Sequence, residues 1–220
     1  MSPRPPHHQP LGVVLAGGDS RRFGRDKTSL LLRGETLVQR ACDLLLSVCS
    51  EVVLADRGRQ LLPAIPSVED GAGSGPAAGI LGAAAVRPAR WLLVLACDLP
   101  AVPASLLEAL RDRVEEGPQA SSWVPRHGGA GGRHSEPLCA LYRPEDLSVL
   151  ARRVGRGALA LHGWLADGRA RIRFLEGEDL LRHGAPEEVF VNLNRPQDLE
   201  RLAAGGAGPS TADGQEDVGQ

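Results

Sequence analysis

A chain of 220 residues, 42% of them hydrophobic, has enough apolar material for the core of one α/β domain. Its formal charge of −2 offers no basic excess for nucleic acid or an anionic membrane, and no apolar run approaches the ~20 residues of a membrane span. The opening MSPRPPHHQP lacks the apolar stretch of a secretory signal, and Cys42, Cys49, Cys97 and Cys139 form no C-x-x-C pair, so core thiols in a reduced, cytoplasmic protein are expected.

Residues 1–10 carry Pro3, Pro5, Pro6 and Pro10 and read as a disordered lead. Leu11–Ala16 is a short apolar run with the character of a buried strand. Gly17 and Gly18 end it, and Arg21, Arg22, Arg25 and Lys27 then crowd around Gly24. A strand feeding a glycine-rich basic loop is one way to hold a polyphosphate, because glycine lets backbone N–H groups approach the anion and the cations neutralise it. The spacing excludes a P-loop, since Arg25 and Asp26 separate Gly24 from Lys27; Gly17, Gly18 and Gly24 also miss the dinucleotide fingerprint. A solvated basic turn is the competing reading.

Thr36–Cys49 places Leu37, Ala41, Leu44, Leu45 and Val48 on one helix face, and Glu51–Ala55 is a second strand. Asp70 ends SVED before a Gly/Ser/Pro loop, and Gly79–Val86 is a small-residue helix. Trp91–Ala96 is an almost continuous apolar run, as in a parallel strand buried on both faces. Pro103–Glu116 is an amphipathic helix with proline in its first turn. Ser122–Pro125 and Pro137–Leu141 flank the glycine-rich stretch Gly128–Gly132, a long hairpin or a mobile loop. Glu145–Val154 and Ala158–Leu165 are helices, Arg171–Leu175 and Val189–Val191 strands, and Gln197–Leu202 a closing helix. Residues 203–220 are small and polar and read as a disordered tail.

Strands alternating with helices predict a single domain over 11–202, an α/β doubly wound, mostly parallel sheet with helices on both faces. Such sheets bind ligands at the carboxyl ends of their strands. The glycine loop and Asp98 then share one edge. A carboxylate there is a hard ligand suited to Mg²⁺ with substrate phosphates, or the cap of the following turn. Asp70 is either a ligand contact or an Asx-turn residue. Asn192 and Asn194 alternate onto one face of an extended segment, and Asn194 is equally a helix N-cap. His134 and Glu136 border the glycine-rich stretch, but a phosphate nucleophile needs no general base.

The loop Leu15–Lys27 fits, without a gap, the pattern LAGG-x-S-x-R-[MF]-G-x-D-K. It resembles the signature loop of the molybdopterin nucleotidyltransferase family, and within it the guanylyltransferases that join GMP to molybdopterin. The likeness continues through Asp70, GPAAGI at Gly75–Ile80, ACDLP at Ala96–Pro100, EPLCALY at Glu136–Tyr142 and NLNRPQDL at Asn192–Leu199. It implies a Rossmann-like nucleotidyltransferase fold and a Mg²⁺-dependent transfer of GMP from GTP to the terminal phosphate of molybdenum-bound molybdopterin, releasing pyrophosphate. Molybdoenzymes or their chaperones would be downstream partners. The resemblance assigns the nucleotide to backbone groups of Leu15, Ala16, Gly17 and Gly18 and to Asp70. It assigns Lys27 and Arg22 to the triphosphate and the departing pyrophosphate, Asp98 to Mg²⁺ and the nucleotide, and Asn192 and Asn194 to the acceptor substrate, with the glycine-rich stretch on the pterin side. Gly17 and Cys97 follow the guanine rather than the cytosine pattern of the family. The alternatives are a relative using CTP or another phosphorylated small molecule, and a non-catalytic protein that binds the molybdenum cofactor. One departure stands out: Ala55, with Asp56 next, occupies the place of an asparagine that touches the nucleotide.

Overall fold

The run Leu11–Leu15 forms β1, and all five residues are buried. It pairs in parallel with β4 (Val52–Ala55) on one side and with β6 (Leu92–Ala96) on the other, both of them buried throughout. Continuous apolar runs are what strands covered on both faces require. The structure, a computed structural model, describes residues 9–17, 27–88, 90–115, 120–129, 132–193, 198 and 202. The expectations for residues 1–8, for the loop 18–26 and for 203–220 lie outside these.

The sheet runs in the order β10-β7-β9-β6-β1-β4-β5, where β5 is Ser67–Val68, β7 Ser122–Gly129, β9 Cys139–Tyr142 and β10 Ile172–Leu175. β8 (Gly132–Ser135) folds back on β7 as a hairpin, and β2 (Leu31–Leu32) pairs with β3 (Glu35–Thr36) apart from the sheet. The sheet is mostly parallel; β9 runs against both β6 and β7. The β7–β8 hairpin turns the chain back over a few residues, too few for the crossover that a parallel return needs.

Helices α1 (Leu37–Leu46) and α3 (Ala104–Asp112) pack together, and α2 (Pro76–Val86) packs with α4 (Pro144–Val154). Thr36 caps α1 by accepting the Gln39 N–H at 3.1 Å. α2 is small-residue for a steric reason: a Cβ on its Gly82 would lie 2.0 Å from the Glu69 carbonyl, so helix backbone meets loop backbone directly. Asp146 of α4 is buried, and takes bonds from the Ser122 hydroxyl at 2.7 Å, the Arg171 N–H at 2.8 Å and the Arg143 guanidinium at 3.3 Å. These ties hold α4 to the β7 and β10 side of the sheet.

Short helices follow: α5 (Leu161–Leu165), α6 (Glu178–Leu181) and α7 (Pro186–Val189). The strand expected at Val189–Val191 is not formed. Pro186 at the first position and Glu187 and Glu188 in the first turn favour a short helix that ends at Val189, after which the chain is irregular. Of the closing helix, Asp198 and Leu202 are described and are helical. Gln9 and Pro10, grouped with the lead, belong to the packed domain: Pro10 is buried and Arg90 donates to the Gln9 carbonyl at 2.9 Å. Among the described residues no helix is long and apolar enough to cross a membrane. The four cysteines are buried and form no disulfide, and burial pushes the Cys42 and Cys49 thiols up to about 12, with Cys139 raised further by the same cause.

Candidate functional site

β4, β1 and β6 end in register, with Ala55, Leu15 and Ala96 side by side. The ladder runs one step beyond: the Ala16 N–H donates to the Ala55 carbonyl at 3.0 Å and the Cys97 N–H to the Leu15 carbonyl at 3.1 Å. Ala16–Gly17 and Cys97–Asp98 therefore leave the sheet from the same edge. From β1 the chain crosses to β4 on one side, and it later returns to β6 on the other. This is the divergence of crossovers at which an open α/β sheet forms a crevice.

A cleft opens there. Its walls include Leu15, Ala16, Gly17, Asp70, Asp98 and a residue not anticipated, Thr28. Thr28 is buried in the 3-10 turn Lys27–Ser29, immediately after the lysine of the basic loop. The structure describes the backbone of Lys27 but not its side chain, and Gly18, Arg22 and Asn194 lie outside the described residues. The structure thus places Leu15, Ala16, Gly17, Asp70 and Asp98 around one space, while the positions of the cationic groups remain an expectation.

Asp70 is reached by Arg57, whose Nε donates to Oδ2 at 3.2 Å. Its other oxygen faces α2 at Gly79, where a Cβ would sit 3.7 Å from Oδ1 and 3.3 Å from Leu15 and Ala55. Asp56 is fully buried, accepting the Leu61 N–H at 2.9 Å and the Ser67 hydroxyl. One oxygen bonds within its own loop and the other to the first residue of β5, so the buried carboxylate organises the turn after β4.

Asp98 meets the chain's later part through its backbone: the Leu193 N–H donates to the Asp98 carbonyl at 3.0 Å. Leu193 is buried and its neighbour Asn192 is exposed, so Asn192 is carried to the strand end that holds Asp98. The same segment is anchored from the hairpin. The His127 ring stacks on Phe190 with centroids 5.3 Å apart and planes 6° from parallel, and its Nε2 lies 2.8 Å from Glu136 Oε1. Glu136 is therefore paired with His127 rather than with His134. Sequence reading passes over His127 because its partner is brought in by the β7–β8 fold.

Among the described residues no group of three or more His, Cys, Asp or Glu is placed to hold a metal. Asp98 offers one hard carboxylate on the cleft wall. That donor set fits Mg²⁺, which commonly binds one or two carboxylates with the rest of its shell from water and substrate phosphates. It does not fit zinc, which wants several nitrogen or sulfur ligands.

Residues 12–171 match the description of a MobA-like NTP transferase domain. A protein of Opitutus terrae named probable molybdenum cofactor guanylyltransferase is 37% identical over 201 residues, covering 86% of this chain and 93% of its own. A protein of Synechococcus elongatus with the same name is 32% identical, covering 86% of this chain and 96% of its own. The crystal structure of molybdopterin-guanine dinucleotide biosynthesis protein A from Archaeoglobus fulgidus superposes with a TM-score of 0.71 at 26% identity, over 88% of this chain and 97% of that one.

Proposed function

The chain belongs to the MobA-like NTP transferase family, and on that premise we propose that it transfers GMP from GTP to the terminal phosphate of molybdenum-bound molybdopterin, releasing pyrophosphate. The observation that carries this reading is the single cleft that joins Leu15–Gly17, Asp70 and Asp98 at the carboxyl edge of the sheet.

In this proposal the nucleoside lies against Leu15, Ala16 and Gly17, with Asp70 taking its donor groups. Lys27 and Arg22 neutralise the triphosphate and the pyrophosphate as it leaves. A phosphate oxygen of molybdopterin attacks the α-phosphorus, its bond forms as the bond to the pyrophosphate oxygen breaks, and no proton need be removed from the nucleophile. The residues' task is alignment and charge stabilisation. Asp98 would hold Mg²⁺, which when bound supplies positive charge to the reacting phosphates. Asn192, brought to Asp98 by the Leu193 bond, would orient the acceptor.

The test is pyrophosphate release with molybdenum-bound molybdopterin and each of GTP, CTP, ATP and UTP in turn. Release with GTP and little with the others is expected. Equal release with CTP, or none with any nucleotide, refutes the guanylyltransferase reading.

A further inference from the structure

Two arginines in the turn after β4 reach both sides of the cleft, and neither has a part in the mechanism above. Arg59 folds back across its own loop, with Nε donating to the Asp56 carbonyl at 2.9 Å and Nη2 to the Ala16 carbonyl at 2.6 Å. Arg57 donates to Asp70 Oδ2 at 3.2 Å, and its Nε lies 3.5 Å from where a Cβ on Gly17 would be. The turn that presents them is fixed from beneath by the buried Asp56 carboxylate. Arg57 and Gln60 hold left-handed backbone angles, φ 62° and 53°. Non-glycine residues keep such angles only where the surroundings impose them, and these cluster at functional sites.

The consequences are geometric. A peptide unit is planar and trans, so the Ala16 carbonyl and the Gly17 N–H point in opposite directions. A guanidinium holding the carbonyl therefore fixes the direction of the Gly17 N–H. On the other wall, a carboxylate with Oδ2 engaged by Arg57 cannot rotate freely and presents Oδ1 in one orientation. The charge-assisted bonds of a guanidinium suit both tasks.

We propose that Arg57 and Arg59 are positioning residues of the nucleotide site: Arg59 sets the Ala16–Gly17 peptide, and Arg57 sets the Asp70 carboxylate that receives the nucleoside's donor groups. This rests on the nucleotidyltransferase reading, so GTP binding by the unaltered full chain with Mg²⁺ is measured first. An unaltered chain that binds no nucleoside triphosphate contradicts that reading itself. Given binding, Arg59→Ala raises the Kd for GTP about tenfold and leaves kcat at saturating GTP within about twofold, the pattern of lost binding geometry rather than lost chemistry. Arg59→Lys, which retains a donor cation, recovers part of the affinity, and it serves as the test if the alanine variant does not fold. Arg57→Ala and Asp70→Asn each weaken binding, and the double variant is no weaker than the worse single one, as for residues acting through each other. An unchanged Kd in Arg59→Ala, or additive losses at positions 57 and 70, overturns the proposal. So does a loss of affinity matched by equal losses of kcat and of melting temperature without nucleotide, because that is the mark of general structural damage.

Discussion

The N–H of Leu193 donates to the carbonyl of Asp98 at 3.0 Å, joining two segments far apart in sequence at the end of one strand. Leu193 is buried against the core, so the segment cannot drift without exposing apolar surface. Asn192, its exposed neighbour, is thereby held near the strand end that carries Asp98. Replacing Asn192 by Ala should raise the KM for molybdopterin about tenfold, the size of one lost hydrogen bond to a charged group, with the Kd for GTP unchanged. Steady-state kinetics with each substrate varied separately check this; a change confined to GTP would place Asn192 elsewhere.

Asp98→Ala should lower kcat by about a thousandfold or more, since it removes the carboxylate proposed to hold the Mg²⁺ that neutralises the reacting phosphates. Its side chain is partly exposed at the strand end, so the melting temperature should stay close to that of the unaltered chain. Turnover and thermal unfolding measured on the same preparation separate the two effects. Retained turnover would remove Asp98 from the mechanism.

The mostly parallel character of the sheet and the shared edge of Gly17 and Asp98 follow from features visible along the chain. The unbroken apolar runs at 11–15 and 92–96 announce strands covered on both faces, and their ends place Gly17 and Asp98 on one edge. What was hidden depends on contacts between distant residues. The antiparallel course of β9 follows from a hairpin whose length the glycine-rich stretch left open. Val189–Val191 is a short run of strand-forming apolar residues, but the proline and two glutamates before it begin a helix that ends at Val189. Asp56 and Arg59 look like ordinary loop polarity, because what distinguishes them, a buried carboxylate and a bond to the Ala16 carbonyl, spans separate segments.

Asp146→Ala should destabilise the fold by about 3 kcal/mol, because it strips a buried carboxylate from Ser122, Arg143 and Arg171 and leaves the arginine without its buried counter-charge. Urea unfolding monitored by circular dichroism reads this directly. A loss under about 1 kcal/mol would mean that the network is dispensable, as exposed ion pairs commonly are.

Gly82→Ala should also destabilise, by about 1–3 kcal/mol, the usual penalty for forcing a methyl into a packed contact. The added Cβ would meet the Glu69 carbonyl at 2.0 Å, and backbone cannot yield as a flexible side chain can. The neighbouring Ala83→Gly change introduces no such clash and serves as the comparison in a thermal melt. Equal stability of Gly82→Ala and the unaltered chain would contradict the close packing of α2 on the loop before it.

The buried thiols set an alkaline limit. Burial raises Cys42 and Cys49 from about 9 to about 12, so between these values the unfolded chain releases protons that the folded chain retains. The unfolded state then binds fewer protons, and stability falls as pH rises. It is full below pH 9 and declines progressively toward pH 12. Urea titrations between these limits should show the decline, with a smaller slope in the Cys42→Ala, Cys49→Ala double variant. A thiol reagent at pH 8 should label these cysteines only after denaturant is added; rapid labelling of the native chain would contradict their burial.

The most direct test of GMP transfer follows the label. GTP carrying a radioactive α-phosphate is incubated with Mg²⁺, molybdenum-bound molybdopterin and the full chain, and the products are separated. The label should join molybdopterin as GMP in step with pyrophosphate release, and Asp98→Ala should abolish both. Label that stays in GTP, or that appears only as free GMP, would contradict GMP transfer to molybdopterin.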